Sequence, residues 1–413
     1  MTLFIFATAA LGVDHRAVLE CPGRAPHWTA HHESSAMPET DGAPRRDHRS
    51  QPRRSDGKRA ANGAAGDQGA SGRDAPLYGA LDLGTNNCRL LIAKPSRDGF
   101  RVVDSFSRIV RLGEGLSRTG RLDDAAMDRA YEALLLCGER VAKRGVDSSR
   151  LMAVATQACR QAENGEAFIE RVRLGTGLKL RIIDPVEEAR LAVRGCLNLF
   201  DQSVEAVLVV DVGGGSTELN WLTKRGDAFV LEGWMSAPVG VVTLAERHPE
   251  PAGDLDGWYE AMVADMGAAI GNAPVNPALR DLFVSGRAHI VGTSGAITSL
   301  AGVHLGLSRY DRARVDGLWL TTDDCRTVTE RLIRLTPAQR AMEPCIGPDR
   351  ADLVLAGAAI LRAVQDVWPC ARARVADRGL REGLLLSLMA APSKRRRRRR
   401  RRRGGTASRQ RAA

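Results

Sequence analysis

Residues 207–222 have the sequence VLVVDVGGGSTELNWL, and this stretch decides the fold of the chain. The four β-branched or apolar residues at 207–210 form the continuous run expected of a strand that is covered on both faces. Asp211 ends this run, and glycines 213–215 have no Cβ, so several backbone amides can approach an anion. Ser216 and Thr217 add hydroxyl donors, and a second alternating run begins at Glu218. The stretch therefore predicts strand, glycine turn, strand, and it has neither the GKS/T sequence of a P-loop nor the spacing of a dinucleotide fingerprint.

A second copy of this pattern occurs at residues 80–92, ALDLGTNNCRLLI, at an offset of 129 residues. Asp82 corresponds to Asp211, and Gly84 corresponds to Gly213. One such segment by itself can be a plain hairpin with a glycine-rich turn. Two copies at a domain-sized separation predict a duplicated fold with a cleft between its halves, in which each half presents one loop to a shared ligand.

The composition is that of a soluble protein with an aliphatic core. The 413 residues are enough for about two domains, and they are 44% hydrophobic but only 4% aromatic. Most of the net charge of +11 lies at the C-terminus, where twelve positive charges leave about −1 for the rest of the chain. These charges belong to Lys394, Arg395–Arg403, Arg409 and Arg411. The body is therefore not a basic nucleic-acid-binding surface, whereas the tail has the composition of one.

Cysteine and histidine usage restricts the chemistry that the chain can perform. The eight cysteines are scattered without a C-x-x-C pair, which indicates reduced thiols, a cytoplasmic location and no zinc site. Five of the eight histidines lie before residue 50, and none of the other three has a catalytic pattern around it. Carboxylates and arginines are therefore expected to carry any chemistry.

The two ends of the chain differ in composition from its middle. Residues 1–76 are rich in Ala, Gly, Arg, Asp, Ser and Pro, and they are predicted to be a disordered arm. The first twelve residues resemble the apolar part of a secretory signal but lack a positive n-region, so a translation start at Met37 is the simpler explanation. Residues 392–413 are predicted to be a disordered polybasic tail.

The segment 184–190, DPVEEAR, predicts the start of a helix. Asp184 suits the N-cap, Pro185 suits the first helical position, and Glu187 falls where its side chain can complete a capping box. Glu188 is left for another role, either as a solvated acid favoured by the helix dipole or as a functional carboxylate.

The rest of the chain predicts alternating strands and helices. Further strands are predicted at 101–109, 151–155 and 178–183, and helices at 123–144, 166–174, 255–270, 322–335 and 349–367. A strand, a small-residue turn and a helix are predicted at 290–303, where residues 292–295 either hold a ligand or permit close packing.

Seven motifs follow one another along the chain: DLGTNNCRLL, ATQACRQAEN, the EEAR helix start, VVDVGGGSTEL, GTSGAIT, DRADLVLAGAAIL and RGLREG. Together they resemble the motifs of the exopolyphosphatase / guanosine pentaphosphate phosphohydrolase (Ppx/GppA) family. The resemblance implies the α/β actin-like ATPase fold, in which two ribonuclease-H-like domains flank a central cleft. It places domain I at 77–199 and domain II at 200–391, with a last helix that can pack back on domain I. The chain looks like the short, two-domain form of the family.

The resemblance also implies roles for individual residues. Glu188 corresponds to the catalytic glutamate that activates the attacking water, and Glu218 corresponds to a second catalytic carboxylate. Mg²⁺ or Mn²⁺ is the expected cofactor because only oxygen ligands are available, and its ligands are expected to be Asp211, Glu218 and Asp82. The positions that correspond to phosphate-binding residues are Asn86, Arg89, Arg160, Gly213, Gly214, Gly215 and Ser216. Asp184-Pro-Val stands where the family more often has Ser-Gly, which alters the helix cap but keeps the paired acids.

We therefore predict a hydrolase that removes terminal phosphate from polyphosphate or from guanosine pentaphosphate. One alternative is an actin-like ATPase or sugar kinase, since these proteins share the paired hairpins, although the ATQACRQAEN and EEAR segments argue against it. Another is a non-catalytic polyanion- or RNA-associated protein in which Arg395–Arg403 binds by counterion release. No membrane association is expected, and the resemblance leaves a homodimer open.

Overall fold

Two mixed β-sheets with helices around them form the body of the protein. The computed structural model describes residues 75–97, 99–273 and 275–390, together with the backbone of β1 (Val18–Leu19). The predicted tail at 392–413 and nearly all of the predicted arm at 1–76 lie outside the described residues. None of the helices within the described ranges is both long enough and apolar enough to cross a membrane.

The first sheet has five strands. They are β2 (Tyr78–Leu83), β3 (Asn87–Ser96), β4 (Gly99–Ile109), β5 (Leu151–Ala155) and β6 (Leu180–Ile182). Their order is β4-β3-β2-β5-β6, in which β2, β3 and β4 are antiparallel and β5 and β6 run parallel to β2. The helices of this part of the chain are α1 (Leu116–Thr119), α2 (Asp124–Lys143), α3 (Gln157–Gln161) and α4 (Gly165–Thr176), and a 3-10 turn at Ser148–Arg150 precedes β5.

The second sheet has seven strands, of which β1 is one edge. The others are β7 (Ala206–Val212), β8 (Thr217–Arg225), β9 (Ala228–Ala237), β10 (Ala288–Thr293), β11 (Trp319–Thr321) and β12 (Arg372–Ala376). Their order is β1-β9-β8-β7-β10-β12-β11, in which β7, β10 and β12 are parallel. The remaining helices are α5 (Pro185–Cys196), α6 (Val241–Arg247), α7 (Leu255–Ile270), α8 (Ala278–Val284), α9 (Gly295–His304), α10 (Arg312–Val315), α11 (Thr322–Ile333), α12 (Pro337–Met342), α13 (Val354–Val367) and α14 (Leu380–Ala390), with a 3-10 turn at Leu197–Leu199.

The two sheets repeat the same antiparallel meander followed by parallel strands. Asp82 lies opposite Arg89 in the first hairpin, and Asp211 lies opposite Glu218 in the second, so both pairs keep the offset of 129 residues. The register shift between β3 and β4 and the one between β8 and β9 also fall at equivalent positions. The predicted duplication and the predicted two-part α/β fold are therefore confirmed.

β7 is buried on both faces, as its continuous apolar run predicts. Val207 and Val209 pack in one hydrophobic cluster with Val193 of α5. Leu208 and Val210 belong to the larger cluster formed with α7 and α13. The strand that leads into the glycine turn is thus fixed between two layers of helices.

The last helix, α14, lies against the first sheet although it follows the second sheet in the chain. Its Leu384 shares a hydrophobic cluster with Leu91 of β3. α14 also crosses α5 closely, since a Cβ on Gly383 would lie 1.9 Å from the carbonyl oxygen of Leu191. Both sheets form one compact unit, and the domain boundary predicted after residue 199 stays a prediction.

Most predicted elements are present, with differences mainly at their ends. The helix predicted at 349–367 begins later, at Val354. The capping box predicted for α5 is confirmed in one half and wrong in the other. Asp184 accepts a hydrogen bond from the amide of Glu187 at 2.9 Å, as expected. The carboxylate of Glu187, however, accepts hydrogen bonds from both Nη groups of Arg181, each at 2.6 Å. A bidentate charged pair is stronger than a bond from a neutral amide, so the carboxylate turns toward the guanidinium.

Candidate active site

A cleft of about 880 Å³ lies between the two sheets. Both hairpin turns line it, and so do residues near the N-terminal ends of α5, α9 and α14. The cleft brings together most of the predicted site residues: Asp82, Asn86, Arg89, Glu188, Asp211, Gly213, Gly214, Ser216 and Glu218. Arg160 and Gly215 are not among the residues that line the cleft. Residues that are 129 positions apart in the chain thus share one cavity.

The two hairpin turns are closed by equivalent hydrogen bonds. In the first turn, the amide of Gly84 donates to the carbonyl of Asn87 at 2.9 Å. In the second, the amide of Gly213 donates to the carbonyl of Ser216 at 2.9 Å. The duplication therefore extends from topology to single backbone hydrogen bonds.

The carbonyl groups of both turns are bonded away from the cleft. The carbonyl of Thr85 accepts from the amide of Gly113 at 2.9 Å, and the equivalent carbonyl of Gly214 accepts from Val242 at 2.7 Å. By contrast, the amides of residues 85–86 and 214–216 donate no hydrogen bond to another described residue. Successive unpaired amides of this kind form an anion-binding concavity.

The second turn packs directly against the first. A Cβ on Gly214 would lie 3.1 Å from the Cβ atoms of both Thr85 and Asn86. A Cβ on Gly215 would lie 2.1 Å from Oε1 of Gln157, which follows β5 of the first sheet. The absence of a Cβ at these positions allows the two turns to approach each other this closely.

Four carboxyl groups face the same cavity: those of Asp82, Asp211, Glu218 and Glu188. Burial raises the pKa of each, and the pKa of Asp211 rises to about 8 because the charges of Glu218 and Asp82 add to the effect of burial. Oδ1 of Asp82 is buried and has no hydrogen-bond partner among the described residues. The positive charges of Arg89 and Arg381 lower the pKa of Asp82, but the effect of burial is larger.

Glu188 lies in the first turn of α5 with its side chain only 12% exposed. Its Oε2 accepts from Nη1 of Arg160 at 3.1 Å, and the same Nη1 donates to the carbonyl of Ile183 at 2.6 Å. Burial and the nearby Glu218 raise the pKa of Glu188 well above its usual value, while Arg160 opposes them. Glu188 is therefore not a solvated helix-end acid, and Arg160 is placed to control its charge.

Glu218 is oriented by two hydroxyl groups. Its Oε1 accepts from Oγ of Ser216 at 2.6 Å and from Oγ of Ser236 at 3.0 Å. Ser216 was predicted to bind phosphate, but its hydroxyl is engaged with Glu218, and its amide is the group left without a partner. Ser236 on β9 was not predicted, because it reaches Glu218 only through the pairing of β8 with β9.

A basic wall faces the carboxylates. Arg89 and Arg381 line the cleft, and neither guanidinium has a hydrogen-bond or ion-pair partner among the described residues. Arg350 donates to Oγ of Ser299 at 3.2 Å. A Cβ on Gly295 would lie 3.7 Å from Nη2 of Arg89 and 3.8 Å from Arg350, so both side chains converge on the N-terminus of α9. Arg89 was predicted from the sequence. Arg350 and Arg381 were not, although they lie in the motifs DRADLVLAGAAIL and RGLREG.

Comparisons with known proteins agree with this architecture. Residues 91–391 match the Ppx/GppA phosphatase family. Exopolyphosphatase 2 of Mycobacterium tuberculosis is 30% identical over 324 residues, which cover 75% of this chain and 97% of the relative. A guanosine-5'-triphosphate,3'-diphosphate pyrophosphatase of Photobacterium profundum is 26% identical over 315 residues, which cover 76% of this chain and 60% of the relative.

Solved structures give the same result. A crystal structure of an exopolyphosphatase-like protein is 31% identical, with a TM-score of 0.66 and coverage of 76% of this chain and 97% of that one. The Aquifex aeolicus member of the Ppx/GppA family is 27% identical, with a TM-score of 0.61 and the same coverage. The predicted actin-like ATPase fold is therefore confirmed, and the chain belongs to the Ppx/GppA phosphatase family.

Proposed function

We propose that the protein releases terminal orthophosphate from inorganic polyphosphate or guanosine pentaphosphate, by attack of a water molecule that Glu188 activates. The family and the names of the relatives support the reaction class. The observation that carries the proposal is the pair of turns, 84–87 and 213–216, which contain unpaired amides and line one cleft together with Glu188.

This arrangement suits a terminal phosphoanhydride. Such a group carries several negative oxygens, and its displacement depends mostly on positioning and charge compensation rather than on covalent chemistry. The amides of the two turns can hold the phosphoryl oxygens. The free guanidinium groups of Arg89 and Arg381 can neutralise the remaining charge.

Glu188 is suited to act as the general base. A base works best when its pKa lies near the working pH, and burial brings the carboxyl of Glu188 toward that range. α5 carries Glu188 on an element separate from the hairpin that holds Asp211 and Glu218, so the water and the anhydride approach from different walls. Proton removal of this kind contributes about 10²–10⁴ in rate.

A divalent metal ion such as Mg²⁺ or Mn²⁺ fits the acidic part of the cleft. The ligands we propose are Asp82, Asp211 and Glu218, since Asp82 has a buried oxygen without a partner and all three are oxygen donors. Among the described residues, no group of three or more His, Cys, Asp or Glu side chains is arranged to hold a metal ion, so these three carboxylates do not form a joint ligand set in their present positions. The protein would thus supply part of the shell, and the substrate and water would supply the rest. When bound, the ion supplies positive charge to the phosphate oxygens.

We also propose that the basic tract Arg395–Arg403 binds long polyanions, either polyphosphate or RNA. α14 begins in the cleft, with Leu380 and Arg381 in its lining, and ends at Ala390. A helix of this length spans about 16 Å. The tract therefore follows an element that starts at the active site. The predicted cytoplasmic location and homodimer remain predictions.

The proposed reaction is tested by measuring phosphate release from long-chain polyphosphate, tripolyphosphate and guanosine pentaphosphate with Mg²⁺. We expect release from at least one of them, and a fall in kcat of about 10²–10⁴ for Glu188→Gln, which keeps the shape of the side chain but cannot accept the proton. Binding of the substrate to the variant should persist. Wild-type turnover in Glu188→Gln would remove Glu188 from the mechanism, and no release from any substrate would reject the reaction.

A further inference from the structure

The loop of residues 110–117, here called the bridging loop, fixes the first hairpin turn. The amides of Val110 and Arg111 donate to the carbonyl of Asn86 at 2.9 and 3.1 Å. The amide of Gly113 donates to the carbonyl of Thr85 at 2.9 Å. The loop is tightly shaped, since Arg111 has a φ of 48°, which only a few per cent of non-glycine residues adopt. Movement of this loop is therefore transmitted to the turn through three backbone hydrogen bonds.

α6 fixes the second hairpin turn in the same way. The amide of Val241 donates to the carbonyl of Gly213 at 3.0 Å, and the amide of Val242 donates to the carbonyl of Gly214 at 2.7 Å. Glu246 lies at the other end of this short helix. Its backbone and the second turn are consequently parts of one hydrogen-bonded unit.

Glu246 joins these two units outside the cleft. Its Oε1 accepts from the amide of Gly115 at 3.0 Å, and its Oε2 accepts from Oγ of Ser117 at 3.2 Å. A second link lies beside it, where Nη1 of Arg111 approaches Oδ2 of Asp352 at 3.1 Å. Both carboxylate oxygens of Glu246 are therefore bonded to the half of the molecule that carries the first turn.

We infer that Glu246 is a positioning residue that sets the separation of the two phosphate-binding turns. It is not one of the residues that line the cleft, and it acts through the bridging loop on one side and α6 on the other. This inference rests on the proposed function, because separation matters only if both turns hold one substrate. A misplacement of about 1 Å in such a site can cost about 10²-fold in rate.

The kinetic test compares Glu246→Ala with Glu114→Ala. Glu114 is a matched control because it lies on the same loop and is also exposed, but it pairs with Arg129 at 3.0 Å within its own half. We expect kcat of Glu246→Ala to fall by about 10- to 100-fold with a smaller change in KM, since each turn still binds phosphate alone. Glu114→Ala should keep wild-type kcat. Equal kinetics of the two variants would overturn the inference.

Conservative variants separate positioning from a general structural effect. Glu246→Gln keeps one oxygen acceptor, so it should recover part of the kcat that Glu246→Ala loses. Ser117→Ala removes one donor, and it should have no additional effect in the Glu246→Ala background because the two residues act through one link. Additive losses would contradict the link.

Hydrogen exchange tests the same link without activity. In Glu246→Ala, the amide of Gly115 loses its acceptor, and exchange should become faster in peptides that cover residues 84–90 and 110–117. Glu114→Ala should exchange like the wild type. If the wild type releases no phosphate from any substrate, the proposed function is wrong but the exchange result still decides the link. Unchanged exchange in Glu246→Ala would overturn it.

Discussion

The guanidinium of Arg160 pairs with Glu188, the carboxylate that we assign as the base. Arg160 donates to Glu188 at 3.1 Å and opposes the rise in the pKa of Glu188 that burial and Glu218 cause. It does not line the cleft, so the structure connects it with the base more directly than with phosphate. Its predicted role in phosphate binding stays a prediction.

The Arg160→Met variant distinguishes these two roles. Without the positive charge, the pKa of Glu188 rises further, and Glu188 must be ionised to accept a proton. We therefore expect kcat to fall at neutral pH and to recover at a higher pH than in the wild type. The measurement is kcat and KM as functions of pH. An Arg160 that mainly holds phosphate would instead raise KM at every pH and leave the profile of kcat in place.

Asp211 links the active site to the stability of the metal-free protein. Burial first, and then Glu218 and Asp82, raise its pKa from 3.8 to about 8, so the folded state retains a proton that the unfolded chain releases. The stability from this group is fully present below pH 3.8 and is lost as the pH rises through about 8. The free energy of unfolding then falls by up to about 1.4 kcal/mol per pH unit in this range.

We expect Asp211→Asn to remove this pH dependence. In EDTA, the variant should lose less stability than the wild type between about pH 5 and pH 9, because the amide does not ionise. Urea unfolding at each pH measures the difference. Parallel curves for the two proteins would show that Asp211 is already ionised in the folded state.

Among the elements, α5 and α14 cross at very short distance. α5 carries Glu188 and α14 carries Arg381, so this crossing fixes Glu188 relative to the basic wall. It depends on Gly383, where a Cβ would lie 1.9 Å from the carbonyl oxygen of Leu191. The backbone cannot yield as a flexible side chain can.

Alanine substitutions at two helical glycines test this crossing. Gly383→Ala should destabilise the protein by about 1–3 kcal/mol through overpacking, although alanine is the better helix former. Gly267 of α7 has open space around its Cβ position and provides the control. Gly267→Ala should stabilise by roughly 0.5–1 kcal/mol. Thermal or urea unfolding of both variants gives the comparison, and the same sign for both would refute the close crossing.

Local sequence predicts the hairpins well but predicts the basic wall poorly. A buried strand, an acid and a glycine turn are adjacent in the chain, so the apolar pattern of the strands and the glycines between them identify each hairpin directly. Arg350 and Arg381 reach the cleft only because α13 and α14 bring distant segments back to it. The wrong half of the capping box has a similar cause, since Arg181 belongs to the preceding strand and competes for Glu187. Spacing within one helix could not show that competitor.

For the molecule as a whole, the basic tract predicts a dependence on substrate length. Deletion of residues 393–413 should raise KM for long-chain polyphosphate by about 10-fold at low salt, because counterion release is lost. Tripolyphosphate, which the cleft can hold without the tract, should keep its KM. The difference should disappear at high salt. An equal rise for long and short substrates would show that the deletion acts on the cleft itself.

Between residues 80–92 and their counterparts 129 positions later, one pair exchanges a cation for an acid: Arg89 in the first hairpin and Glu218 in the second. This pair gives the cleft an electrical polarity. A symmetric pair of turns would accept a linear anion in either orientation. With a cation at one register position and an acid at its counterpart, we expect the terminal phosphate of a polyphosphate and the rest of that polymer to bind on unlike sides. The repeated hairpins thus provide two similar turns, and the difference between Arg89 and Glu218 makes the two ends of the cleft unlike.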